Sequence, residues 1–128
     1  MELSVRPELL ALCRLPADAP WPSPPTDGSL FSVTGTGSEL SVLCRVDAAP
    51  PRSRIEPGWR ALTVTGPLDF SAVGVIASLT ARLAAAEVGV FVLSTYDTDH
   101  ILVKDADLGR AVDALHADGH SVVAPPPA

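Results

Sequence analysis

Long apolar runs are missing from this chain. Its wholly apolar stretches extend only a few residues, far short of the ~20 that a membrane helix needs, so no span of a bilayer is expected. The first residues, Met1-Glu2-Leu3-Ser4-Val5-Arg6-Pro7, lack the charged start and apolar middle of a secretion signal. That predicts a cytoplasmic protein. Basic residues are also scarce: nine stand against fifteen acidic ones, for a net charge of -6. This sign opposes a phosphate backbone, and no basic stripe interleaves with aromatics, so nucleic acid is not an expected partner.

Cysteine is nearly absent. Cys13 and Cys44 lie far apart and form no CxxC pair, which removes metal and redox motifs. Two reduced thiols acting as small apolar residues inside strands is the reading they support. Catalytic signatures are equally sparse. No G-x-S-x-G elbow frames a serine, and Gly35-Thr36-Gly37 sits in a hairpin and opens no helix, so it is no phosphate loop. His116 and His120 are four apart, but Gly119 lies between them at a helix end, which spoils the shared face a metal pair needs. Ser94, His100 and Asp97 are types that nucleophilic catalysis uses, yet side chains alternate along strands and no motif gathers them. Neither enzyme activity nor a metal or cofactor is expected.

What the chain has is apolar residues, 47% of its 128, enough for one domain or two small ones sharing a core. Leu9 to Leu15 reads as a strand, with a shorter one at Leu3 to Val5. The proline-rich connector from Pro16 to Gly28 reads as extended and pinned to the core by Trp21. Phe31 to Thr34 and Leu40 to Val46 form a hairpin about Gly35-Thr36-Gly37-Ser38-Glu39. A second proline-rich loop, Asp47 to Gly58, separates the halves. The expected division is therefore a β-rich half over residues 1–57, a second unit over 58–124 and a proline-rich tail over 125–128.

The second unit has the clearer pattern. Trp59 to Thr65 alternates as a strand. Ala72, Val75, Ile76, Leu79, Leu83 and Ala86 then fall at helical spacings, with Asp69 or Ser71 as the cap and Gly89 as the stop. Val90-Phe91-Val92-Leu93 reads as a strand buried on both faces. The polar turn Ser94 to His100 and the strand Ile101 to Val103 come next. A second helix has Leu108, Ala111, Val112 and Leu115 on its buried side, and Ser121-Val122-Val123 is the last strand. The order β-α-β-β-α-β is the ferredoxin-like plan of an α+β fold, a four-stranded antiparallel sheet with both helices on one face. The uncovered face should pack on the first half, on a second copy, or on both.

One pair of segments could bind a ligand. The turn from Gly66 to Ser71, including Asp69, leads into a helix start whose free N–H groups and positive dipole end attract a carboxylate. Gly74, close to that end, would let a ligand approach. The turn Ser94 to Asp99 offers hydroxyls and the carboxylates of Asp97 and Asp99, which suit an ammonium or guanidinium. Together they match an amino-acid zwitterion. The same residues also fit a plain hairpin turn with a closely packed helix glycine.

These segments resemble a known family. Leu93-Ser94-Thr95-Tyr96-Asp97-Thr98-Asp99-His100-Ile101-Leu102-Val103, with Gly66-Pro67-Leu68-Asp69-Phe70-Ser71 upstream, is similar to the ACT domains of the cytosolic arginine sensor family and its short bacterial relatives. Leu12-Cys13-Arg14-Leu15, Phe31-Ser32-Val33-Thr34 and Glu39-Leu40-Ser41-Val42 extend the likeness over nearly the whole chain. The resemblance implies two tandem ACT-like halves, the first smaller and β-rich, and a regulatory, non-catalytic role. It implies a ligand held between two ACT domains, which nominates Thr95, Tyr96 and Asp99 on the strand side and Gly74 and Val75 on the helix side. One copy supplies half of that arrangement, so a homodimer is implied. A structural or interaction module that keeps the fold without a ligand is the alternative.

Overall fold

The structure is a computed structural model, and it describes residues 1–125. In chain order the elements are β1 (Glu2–Val5), β2 (Leu10–Leu15), β3 (Ser32–Gly35), β4 (Leu40–Arg45), β5 (Arg54–Val64), α1 (Val75–Ala85), β6 (Phe91–Ser94), β7 (Asp99–Lys104), α2 (Leu108–Ala117) and β8 (Ser121–Val123). The expected proline-rich tail lies, beyond Pro125, outside the described residues. The chain divides into two compact units. One is Glu8–Trp59; among the described residues the other combines Met1–Pro7 with the chain from Arg60 to Pro125. The division thus differs from a cut after residue 57, because β1 stands with the second unit and not with the β-rich half.

In the Glu8–Trp59 unit, β3, β4, β2 and the first part of β5 lie side by side in that order, all antiparallel. The β3–β4 hairpin forms as its turn residues require. Gly35 pairs with Leu40, and the Thr36 hydroxyl oxygen accepts from the backbone N–H of Ser38 and of Glu39, each at 3.1 Å. Ala11, Cys13, Leu15, Leu40, Val42 and Cys44 make the core, with Phe31 and Val33 packed against it. Both thiols are free and buried, and burial followed by the neighbouring Cys13 pushes the Cys44 thiol up to about 12. Trp21 does not pin the connector to this core. It is exposed, and its ring edge lies 3.3 Å from the position of a Cβ on Gly35.

β5 begins at Arg54, five residues before the strand expected from Trp59, and runs through Pro57. The β2 register explains how. Leu10 pairs with Trp59 and Ala11 with Pro57, which leaves Gly58 as the extra residue of a β-bulge. Its φ of 84° is one that glycine accepts without strain.

In the other unit, the order β5-α1-β6-β7-α2-β8 reproduces the expected α+β, ferredoxin-like plan. Among the described residues its sheet has five strands where four were expected. β1 inserts between β5 and β8, antiparallel to the first and parallel to the second, and β7 then joins β5 to β6. Leu3, Val5, Leu62, Val64, Ile101 and Val103 from the strands meet Leu79, Leu83, Ala111 and Leu115 from the helices in one core. Leu79 and Leu83 are fully buried, and burying each side chain contributes about 1.5–3 kcal/mol. β6 is not buried on both faces. It pairs only with β7 among the described strands, and Val92 is 38% exposed, as an edge position allows.

The helix ends also differ from expectation. α1 starts at Val75 with Gly74 as its N-cap and has no side-chain cap. Asp69 caps nothing; its carboxylate accepts from the Ser71 N–H at 2.8 Å and the Ser71 hydroxyl at 2.7 Å. At the other end Glu87, not Gly89, takes the left-handed conformation, with φ 60°. The Val88 N–H reaches the Leu83 carbonyl at 2.9 Å and the Glu87 N–H reaches Ala84 at 3.0 Å, the two bonds of a Schellman motif. Glycine is normally preferred there. Glu87→Gly is therefore expected to stabilise the chain by about 0.5–1 kcal/mol, raising Tm by about 2–4 °C in a thermal melt.

Candidate functional site

The loop from β5 to α1 and the turn from β6 to β7 are held together by backbone. The Leu68 N–H donates to the Asp97 carbonyl at 2.7 Å, and the Thr98 hydroxyl donates to the Val64 carbonyl at 2.7 Å. Gly66 allows the approach: a Cβ there would lie 3.0 Å from the Asp97 carbonyl oxygen and 3.1 Å from the Thr98 Cβ. The turn itself is closed by the Thr95 N–H, which donates to the Thr98 carbonyl at 2.9 Å.

Between these segments lies a cavity of about 380 Å³, walled by residues 68–70, 72 and 74–77 on one side and 94–99 on the other. Asp69, Gly74, Val75, Thr95, Tyr96, Asp97 and Asp99 all line it. Ser71 is not part of the wall; it holds the Asp69 carboxylate, and its two hydrogen bonds, backbone first, keep that carboxyl below the usual range. Gly74 has φ 81°, and the space where its Cβ would point is open. The first backbone N–H groups of a helix have no intrahelical partner, and no side chain caps those of α1. Across the cavity, Asp99 accepts from the Ser94 hydroxyl at 2.5 Å. Three carboxylates (Asp69, Asp97 and Asp99) line this cavity, and among the described residues no lysine, arginine or histidine does.

Neither Phe70 nor His100 was expected at the ligand site. Phe70 meets Tyr96 edge to face, with ring centroids 4.9 Å apart, although the two are 75% and 80% exposed. Val73, 94% exposed, lies beside them in the chain. An apolar side chain in an otherwise polar loop was the available signal. His100 is buried, with Nδ1 2.8 Å from the Thr63 hydroxyl and Nε2 3.4 Å from the Thr95 hydroxyl. Its nitrogens face threonines and the Ser94 hydroxyl faces Asp99, so Ser94 and His100 make no nucleophile–base pair. Among the described residues no group of three or more His, Cys, Asp or Glu could hold a metal ion.

Burial, and then the positive charge of Arg6, lower the His100 pKa below 6.5, against a smaller raising effect of Asp99. The unfolded chain therefore takes up a proton below about pH 6.5 that the folded chain refuses until lower pH. Stability is full above that pH and falls on acidification through this window. Denaturant titrations from pH 7.5 to 5 are expected to show a smaller loss for His100→Gln than for the parent chain.

The comparisons with known proteins agree with this architecture. The sequence model of the ACT domain family matches residues 54–117, half of the chain. The chain belongs to the ACT domain family. It is 34% identical over 58 residues to the Homo sapiens cytosolic arginine sensor for mTORC1 subunit 1, a match covering 44% of this chain and 18% of the sensor. The chain thus spans less than a fifth of the curated relatives that it matches. A protein of Agrobacterium tumefaciens of known crystal structure is 33% identical, with a TM-score of 0.89 over 98% of this chain and 94% of that one. The regulatory subunit of aspartate kinase from Thermus thermophilus, 10% identical with a TM-score of 0.62 over 90% of this chain and 94% of that one, shares the fold. Among the described residues no helix is long and apolar enough to cross a membrane.

Proposed function

We propose that this chain is a non-catalytic regulatory protein that binds an amino acid in the cavity between α1 and the β6–β7 turn. One observation carries the reading: an uncapped helix N-terminus and an acidic wall face the same cavity of about 380 Å³. The first N–H groups of α1, opened by Gly74 and Val75, would take the ligand carboxylate. Asp99, with Asp97 beside it, would take the ammonium or a cationic side chain, and Thr95 and Tyr96 would shape the wall. The acidic lining favours a basic amino acid. The sensor relative is named for arginine, which supports that class.

The cavity is open, and Phe70, Val73 and Tyr96 are exposed near it. A second copy of the chain in a homodimer would supply a facing wall and cover these side chains. The same exposure also fits a protein-interaction module that binds no small ligand. Calorimetry with each of the twenty amino acids separates the two readings. Saturable binding by at least one at submillimolar concentration is expected, with a matching rise in Tm because only the folded state binds. No heat from any of them at millimolar ligand would end the sensor reading.

A further inference from the structure

We propose that His100 is a positioning residue of the cavity wall, and that its protonation weakens ligand binding. This rests on the reading of the cavity as an amino-acid site. The Thr95 hydroxyl donates its one hydrogen to the Thr98 carbonyl at 3.2 Å, so towards His100 it can only accept. We assign His100 the matching tautomer, with its hydrogen on Nε2, 3.4 Å away. That leaves the Nδ1 lone pair for the Thr63 hydroxyl at 2.8 Å. The neutral ring thus completes a chain from β5, through β7, to a residue that lines the cavity.

A proton on Nδ1 breaks this chain at its short end. The Thr63 hydroxyl has to turn and accept, and its own hydrogen loses its partner. The ring becomes a buried cation, disfavoured by desolvation and by Arg6 and offset only in part by Asp99. It also sets a positive charge next in the chain to the carboxylate that would hold the ligand's cation. Both effects oppose the bound state. By linkage, whatever protonation takes from ligand affinity, ligand binding takes from the affinity of His100 for its proton.

The test has a ligand-free arm and a ligand arm, each run on the full chain. The first follows the ¹⁵N amide shifts of Thr95, Tyr96 and Thr98 by NMR from pH 7.5 down through the midpoint of the His100 ring, which is followed alongside. The amides are expected to move with the ring's midpoint, and to stay flat in His100→Gln, whose amide can stand in for Nε2–H and cannot titrate. In Thr63→Val, which removes the partner of Nδ1, the midpoint should rise. The second arm titrates L-arginine into the parent chain, with binding expected to weaken as pH falls through the ring's midpoint, by up to about tenfold for each pH unit by which the ligand lowers that midpoint. In His100→Gln the affinity should stay the same over that range. Turn amides that stay flat while the ring titrates, or a pH dependence that survives in His100→Gln, would overturn the proposal. If L-arginine does not bind at pH 7.5, the ligand class is wrong, and the amide shifts still decide the role of His100.

Discussion

Replacing Asp99 by alanine is expected to weaken amino-acid binding ten- to a hundredfold while leaving the chain folded. A hydrogen bond to a charged group contributes ~1.5–3 kcal/mol, which converts to that range of affinity. Asp99 opens β7 and pairs with Ser94 across the hairpin, so its carboxylate is fixed by strand register and by the Ser94 hydroxyl at 2.5 Å. Removing it leaves that hydroxyl at an exposed position, where water replaces the lost acceptor. The effect should therefore fall on ligand affinity and little on Tm. Asp97 sits at the exposed tip of the turn, so Asp97→Ala should weaken binding less. Ser94→Ala keeps the charge and removes only its anchor, and should come between the parent chain and Asp99→Ala. Calorimetry on the three variants checks the order. Equal affinity in Asp99→Ala and the parent chain would remove Asp99 from the site.

Helical periodicity made both helices legible, because Leu79, Leu83, Ala111 and Leu115 are buried for the reason that their spacing is helical. The polar turn flanked by two strands was legible in the same way. Position within the sheet was not. β6 is apolar enough to read as doubly buried, yet nothing in Val90 to Leu93 states that the strand lies at an edge. The placement of β1 between β5 and β8 escaped for a related reason: four residues carry no sign of which strand they will join. Pro57 misled in the opposite direction, since a bulge at Gly58 lets a strand continue where proline usually stops one.

Within the site, sequence supplied the residues and the fold supplied the distances. Asp69 and Ser71 have the right types and spacing for a helix cap, but they close on each other and leave α1 uncapped. That local choice frees the N–H groups that a carboxylate could use. His100 stayed hidden because one histidine beside an apolar strand looks like any buried histidine until Thr63 and Thr95 are seen around it.

Gly66→Ala is expected to cost both stability and binding, and the two losses should separate it from the Asp99 variants. The new Cβ would lie 3.0 Å from the Asp97 carbonyl oxygen, 3.1 Å from the Thr98 Cβ and 3.2 Å from the Leu68 nitrogen. Two of these are backbone atoms, and the third is a branch point that Thr98 holds by its bond to Val64. None can swing aside as a long side chain would, so the loop and the turn must part. Overpacking of this kind costs about 1–3 kcal/mol. The parting also stretches the bond from the Leu68 N–H to the Asp97 carbonyl, 2.7 Å in the structure, which joins the two walls of the cavity. Gly66→Ala should therefore lower Tm by several degrees and weaken the ligand about tenfold or more, although the substituted residue itself is not part of the cavity wall. Gly74→Ala is the comparison that isolates the cause. Its Cβ would meet nothing within 4 Å, and only its φ of 81° is strained, so it should cost ~1–2 kcal/mol of stability without driving the loop away from the turn. If Gly66→Ala melts and binds as the parent chain does, the close approach of loop and turn is not what shapes this cavity.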